Sequence, residues 1–411
     1  MKFLHTADWH LGQFFHQYER TFEHQVFLNW LLDRLKLEKI DVLLLSGDVF
    51  DHANPSAASI KMFYRFLSKA LHEIPELQII VIAGNHDSAA RLETPKPLLE
   101  SSNVHIIGLI ERVNGEIDYD KIIIPIKDKN AKTIFYCLAV PFLRLGDYPA
   151  VPNAKSPYTE GVAAFYKEAL QRAEQLLENG QSIIAMGHLH TLNADMSDLD
   201  EEAERPIVGG VEGISPEAFD GKIKYVALGH IHKAQKVAGR ANIRYSGSPI
   251  PLSFSEHNYK HQVIVFDIVE GDLSNLNSIE VPVTVPLKAI PAEHMPLDSV
   301  LEELEKMPAY EGDPQLSPYL LVRVLLTGPE PSMSHKINKA LEAKHYRFLK
   351  IDTKSFKTEQ EQGEEEVFSM DFLKGPKELF ERTYKNAYKT EVPDELMNLM
   401  NEVLLELSIE E

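Results

Sequence analysis

Five short segments, Asp8-Trp9-His10, Gly47-Asp48-Val49-Phe50-Asp51, Gly84-Asn85-His86-Asp87, Gly187-His188 and Gly229-His230-Ile231-His232, each close or follow an apolar run of strand length. A lone Asp-x-His is common by chance, and a lone histidine after a strand is more often a hydrogen-bonded core residue than a ligand. Five such segments in this order restrict the chain to folds that gather many strand ends into one place. The first three runs cover 2–7, 41–46 and 78–83, and the stretches 21–37 and 56–72 between them repeat apolar residues at helical spacing. This β-α-β-α-β order predicts an α/β fold, a sheet with helices on its faces and a site at the carboxyl ends of its strands.

Further strands are predicted over 122–126, 133–140, 182–186, 224–228, 243–246 and 263–269, interrupted by a proline-rich loop at 148–158 and a helix at 161–177. Carboxylates fill six of the ten positions 195–204, which reads as a solvated loop. Pro282, Pro286, Pro291 and Pro296 predict a connection, followed by helix 299–306, strand 319–326, helix 334–343 and strand 347–351, a small α+β unit. A polar, acidic run at 359–366 reads as a linker, and two amphipathic helical stretches, 376–388 and 394–407, follow it. The resulting division is 1–280, 281–355, a linker at 356–374 and a helical tail at 375–411.

The net charge of −20 argues against a surface that clings to nucleic acid along its whole length, since phosphate neutralisation needs clustered Lys and Arg. It leaves room for a nuclease, because bound divalent ions reverse the local sign of the field and a partner can bring a basic track. The single cysteine, Cys137, lies in the apolar run 134–140, which excludes disulfide stapling. With no window of ~20 apolar residues and no room for a secretory leader ahead of the first strand, a cytoplasmic protein is expected.

Asp, His and Asn together mix hard oxygen with imidazole donors, a set suited to manganese, iron or zinc ions more than to an all-oxygen magnesium site. Six or seven such donors are too many for one tetrahedral ion. Two ions are implied, an arrangement suited to in-line displacement at phosphorus. A carboxylate must then bridge them, and Asp48 is the natural candidate. The glycines ahead of Asp48, Asn85, His188 and His230 fit turns in which the backbone approaches the site closely.

The set D-x-H, G-D-x-x-D, G-N-H-D, G-H and G-H-x-H resembles the calcineurin-like metallophosphoesterase superfamily, whose fold is a four-layer sandwich of sheets flanked by helices. The resemblance places Asp8, His10, Asp48 and His232 around one ion, and Asp48, Asn85, His188 and His230 around the other. It puts His86 beside the leaving oxygen, with Asp51 orienting it. Within the superfamily, segments 4–12, 227–235 and 247–254 are similar to the SbcD family of nucleases, and the order of the later elements is similar too. That likeness implies two divalent ions, manganese foremost, and hydrolysis of DNA both exonucleolytically and at single strands or hairpins, in end processing, recombination and repair. It also implies a DNA-capping α+β domain, a homodimer, and a helical tail that docks on the coiled coil of an SbcC-type ABC ATPase. The chain has no Walker A pattern, so ATP hydrolysis would belong to that partner. A small-molecule phosphodiesterase or phosphatase on the same two-ion site is the alternative.

Other residues carry two readings each. His52 is a phosphate contact or a plain surface residue, and Asp87 either supports a ligand or caps the next turn. His190, in a Gly-His-Leu-His that mimics the final motif, stands behind the ligands at most. His5 reads as a satisfied core histidine, and Arg144 as a DNA contact or a loop cation.

Overall fold

In the computed structural model the described residues are 1–99, 102–192, 194, 213–328 and 330–355, with 384, 392–393 and 396–397 beyond them. The predicted helical tail and the 195–204 loop lie essentially outside these residues. Met1–Lys354 form one compact unit.

Two six-stranded sheets lie face to face. The first runs in the order Asp272–Glu280, Gln262–Val269, Lys2–Thr6, Val42–Ser46, Gln78–Ile82, Val104–Ile107. Its last four strands are parallel, as helical crossovers require. Alternation along each strand sorts the side chains. Leu4, Leu43, Ile79 and Val104 share one row and one face, where they meet Phe27, Leu31 and Leu35 of the Thr21–Leu37 helix and Phe63 and Leu67 of the Ala57–Glu73 helix. Phe3, Val42, Leu44 and Ile80 point the other way, into the core shared with the second sheet. Both faces are covered, which is why 42–46 reads as an unbroken apolar run.

The second sheet has the order Gln235–Val237, Arg240–Tyr245, Ile223–Gly229, Ser182–His188, Thr133–Ala139, Ile123–Lys127. The Pro157–Glu174 helix joins its core through Val162, Phe165, Tyr166 and Ala169, and begins with Ser156 accepting from the Thr159 N–H ahead of Pro157. Helices, sheet, sheet, helix: the four-layer sandwich is the observed architecture.

A third sheet, Leu287–Pro296, Tyr319–Leu326, Arg347–Ser355, carries the helices Leu297–Lys306 and Met333–Leu341. Period-2 alternation again divides its central strand. Leu320, Val322 and Val324 pack with Val300, Leu304 and Ile337, while Tyr319 and Leu321 pack with Phe15, Phe254 and Val285. The expectation of a plain proline-marked connection across 282–296 needs correction. Leu287–Pro296 is a strand of this sheet. It sits at the sheet's edge, where a residue without an N–H costs no ladder bond on the open side. The polar strand Asp272–Glu280, also at an edge, escaped the periodicity because its exposed positions outnumber its apolar ones.

A candidate two-metal centre

The first sheet delivers Asp8, His10, Asp48, Asn85 and His86 just past the ends of three adjacent parallel strands, and the second sheet delivers His188, His230 and His232 past two. The turns are tight. Asp8, His10, Asp48 and His230 have φ of 54°, 45°, 47° and 101°, a conformation non-glycine residues adopt only at a cost. The sheets also come close: a Cβ on Gly229 would stand 1.9 Å from the Ser46 carbonyl oxygen, and one on Gly47 2.2 Å from His188 Nδ1.

All seven residues expected as ligands meet. Asp48 Oδ2 lies 3.5 Å from His10 Nε2 and 3.3 Å from His188 Nε2, so one carboxylate oxygen stands between two histidine groups. Ligand atoms of Asp8, His10 and His232 lie within 4.8 Å of one another, as do those of Asp8, Asp48 and His188. Asn85 Oδ1 is 2.9 Å from His188 Nε2 and 3.1 Å from His230 Nδ1.

The hydrogen bonds show what the cluster can hold. His188 donates from Nδ1 to the Ser46 carbonyl (2.9 Å), so Nε2 is the nitrogen turned to the oxygens of Asn85 and Asp48, where a proton or a cation can sit. His10 donates from Nδ1 to Asp51 Oδ1 (3.2 Å), and among the described residues its buried Nε2 has no hydrogen-bond partner; neither has Asp8 Oδ2. Electron-pair donors converging without donors to match them form a cradle for cations. The electrostatics agree. Burial pushes the Asp8 carboxyl up. Burial acts the same way on Asp48, but His188, His10 and His86 together outweigh it and hold that carboxyl well below the usual range. His188 in turn is buried, yet Asp48 lifts it to about 9. His230 is driven down to about 3 by burial and by the neighbouring His188. A carboxylate that must stay ionised among buried groups needs positive charge beside it, and divalent ions supply that.

His86 lies at the mouth, its N–H on Asp48 Oδ1 (2.9 Å) and its ring T-shaped against His10 at 4.8 Å. Its Nδ1 donates to the backbone carbonyl of Asp51 at 2.9 Å. The orienting bond expected from the Asp51 carboxylate thus comes from that residue's main chain. The carboxylate is committed to His10 and, through Oδ2, to His52 Nε2 at 3.0 Å. Asp87 is buried and takes the N–H groups of Gly84, Val49 and Phe50, tying the two ligand loops together. Burial, with Asp48 nearby, raises its carboxyl to about 6. His190 is half-buried and outside the ligand groups, its carbonyl accepting from Ile214. His5 is the core histidine expected, held by the Tyr225 hydroxyl and the Leu228 carbonyl. Arg144 lies over Phe142, 5.4 Å from the ring centre.

One residue of the site was not foreseen. Glu256 is buried and takes His232 Nδ1 on Oε1 at 3.0 Å. It follows no strand and belongs to none of the five segments; the only hint in the sequence is a carboxylate just past the 247–254 stretch. The centre opens into a cleft of about 470 Å³, with His10, Asp51, His52, His86 and His232 on one side and Phe14, His16, Phe254 and Lys350 around it. Among the described residues no helix is long and apolar enough to cross a membrane.

Residues 1–234 match the family described as calcineurin-like phosphoesterase, and residues 283–388 the one described as type 5 capsule protein repressor C-terminal domain. The chain is 35% identical over 349 residues to the SbcD component of the nuclease SbcCD from Rhodobacter capsulatus, covering 84% of this chain and 85% of that one. It is 32% identical over 317 residues to the corresponding SbcCD component of Escherichia coli K12, 74% of each chain. Against that of Bacillus subtilis the identity is 32% over 275 residues, 66% of this chain and 67% of the other.

Proposed function

The chain belongs to the SbcD family of calcineurin-like phosphoesterases, and from that membership and the geometry of its centre we propose that it is the DNA-hydrolysing component of an SbcCD-type nuclease. The observation that supports this best is Asp48, one carboxylate oxygen of which lies between two buried histidines, His188 and the His10 that lines the cleft. Asp8, His10, Asp48 and His232 are the proposed ligands of one divalent ion, and Asp48, Asn85, His188 and His230 of the other, with manganese as the metal. When bound, such a pair supplies Lewis acidity at phosphorus and a water-derived nucleophile near neutral pH.

The chain's own groups do the rest. Asp48 holds both ligand sets in register, and Asp87 fixes the loops that carry Asp48 and Asn85. His86 keeps Nδ1–H on the Asp51 carbonyl, so Nε2 is the atom that serves the leaving oxygen. His52, exposed and held by Asp51, and Lys350, from the third sheet, offer hydrogen-bonding edges to the phosphates flanking the scissile bond. Residues 281–355 are the proposed DNA cap and 375–411 the proposed dock for a coiled-coil ABC ATPase, joined by the linker 356–374. We place the protein in the cytoplasm as a homodimer working in end processing and repair.

The test is cleavage of end-labelled single-stranded and hairpin DNA by the purified chain, with and without the ATPase partner and ATP. Manganese-dependent cutting abolished by chelator is expected. No cutting with either metal, manganese or magnesium, even in the complex, would sink the reading. Truncation at residue 370 should abolish association with the partner while leaving metal binding intact.

A further inference from the structure

We propose that Glu256 is a positioning residue for the metal centre, fixing the tautomer and the aim of His232. The inference rests on the reading of His232 as a metal ligand. Glu256 lies in the Phe254–Asn258 turn, 3% exposed, so its charge is sheltered from solvent. Its Oε1 takes His232 Nδ1 at 3.0 Å, while Oε2 takes the Leu252 N–H at 2.9 Å and the Ser248 hydroxyl at 3.2 Å. Because a carboxylate only accepts, the proton of neutral His232 resides on Nδ1. The other nitrogen, Nε2, is then the atom that would ligate an ion together with Asp8 and His10. A carboxylate behind a ligating imidazole also raises its basicity, and loss of such a partner costs on the order of 10–100-fold in metal affinity.

The loop holding Glu256 is itself pinned. The Leu252 carbonyl accepts from Gln13 at 2.9 Å and the Pro251 carbonyl from Arg20, both reaching from the segment that follows His10. Glu256 is therefore fixed on the imidazole by the part of the chain that supplies the ion's other ligands. The alternative role, closing the 248–256 loop and nothing more, predicts an effect on stability and none on metal affinity.

The experiment is calorimetric titration of the metal-free full chain with Mn²⁺ for wild type, Glu256→Gln and Ser248→Ala, each with its metal-free melting curve. A glutamine has one acceptor oxygen where three donors share two, so Glu256→Gln should weaken one of the two binding events about 10–100-fold. Ser248→Ala leaves the His232 contact in place and should stay within about twofold. Wild-type affinity in Glu256→Gln, or equal losses in both variants, would overturn the role. Wild type that binds no metal would instead overturn the metal centre itself. If Glu256→Gln fails to fold, nitrogen NMR of the wild-type zinc-loaded chain decides: His232 protonated on Nδ1 and ligating through Nε2 is expected, and ligation through Nδ1 overturns it.

Discussion

The Tyr319 hydroxyl donates to Glu23 Oε1 at 2.7 Å, joining the central strand of the third sheet to the first helix of the sandwich. Glu23 is otherwise clasped by Arg20, at 3.0 and 2.6 Å, in a pair almost wholly removed from water. Arg20 also lies over the rings of Phe15 and Tyr319. A buried pair is costly to break from one side, because the remaining charge has nothing to replace its partner. Glu23→Ala should lower stability by about 3–5 kcal/mol, read from denaturant unfolding. Tyr319→Phe, which leaves the ion pair intact but removes the hydroxyl's bonds to Glu23 and Arg347, should cost less, about 1.5–3 kcal/mol. Equal losses in the two variants would remove the ion pair from the explanation.

At the mouth of the centre, His86→Ala should reduce DNA cleavage by roughly 10²–10⁴-fold and leave bound manganese unchanged, since His86 stands outside both ligand groups proposed. Metal content by atomic absorption beside turnover on labelled DNA separates the two effects. A variant that lost its metal along with its activity would make His86 a ligand.

Asp48→Asn should do the reverse. Its carboxylate is shared by both ligand groups, so a neutral amide there should weaken both binding events. Asn85→Ala should weaken one. A titration in which Asp48→Asn keeps two full-affinity sites would refute the bridging role.

Stability should carry a signature of His5. Burial drives its imidazole down to about 3 from 6.5, despite the bond to the Leu228 carbonyl. Between those values the unfolded chain binds a proton that the folded chain refuses. The contribution is therefore intact above pH 6.5 and is lost as pH falls toward about 3, by up to about 1.4 kcal/mol per pH unit. His5→Gln, which does not titrate, should flatten that part of the curve. An unchanged slope between pH 6 and 4 would mean that His5 accepts its proton in the folded chain.

The clustering of these side chains was legible because each closes or follows an apolar run, and parallel strands bring such ends together whatever the rest of the chain does. The helix 21–37 was legible to the residue from its apolar spacing. What sequence did not disclose is chemistry carried by geometry alone. The main-chain carbonyl of Asp51 is like any other until the loop aims it at His86. Glu256 looks like a surface acid until the 248–256 loop folds over it. The strand Leu287–Pro296 was hidden by prolines that only an edge position tolerates.

The close approach at Gly229 and Gly47 has a consequence for how the sandwich holds together. Asp8, Asp48 and Asn85 come from one sheet, His188 and His230 from the other, and the gap between them admits no extra methyl group. Ions seated there would act as rivets between two halves whose other ties at this end are apolar contacts and single hydrogen bonds, such as those of His188 to the Ser46 carbonyl and His5 to Tyr225. Metal concentration then becomes a variable of folding as well as of rate, and the melting temperature should climb with added manganese as the logarithm of its concentration. A cell short of the metal would lose the protein as well as its activity.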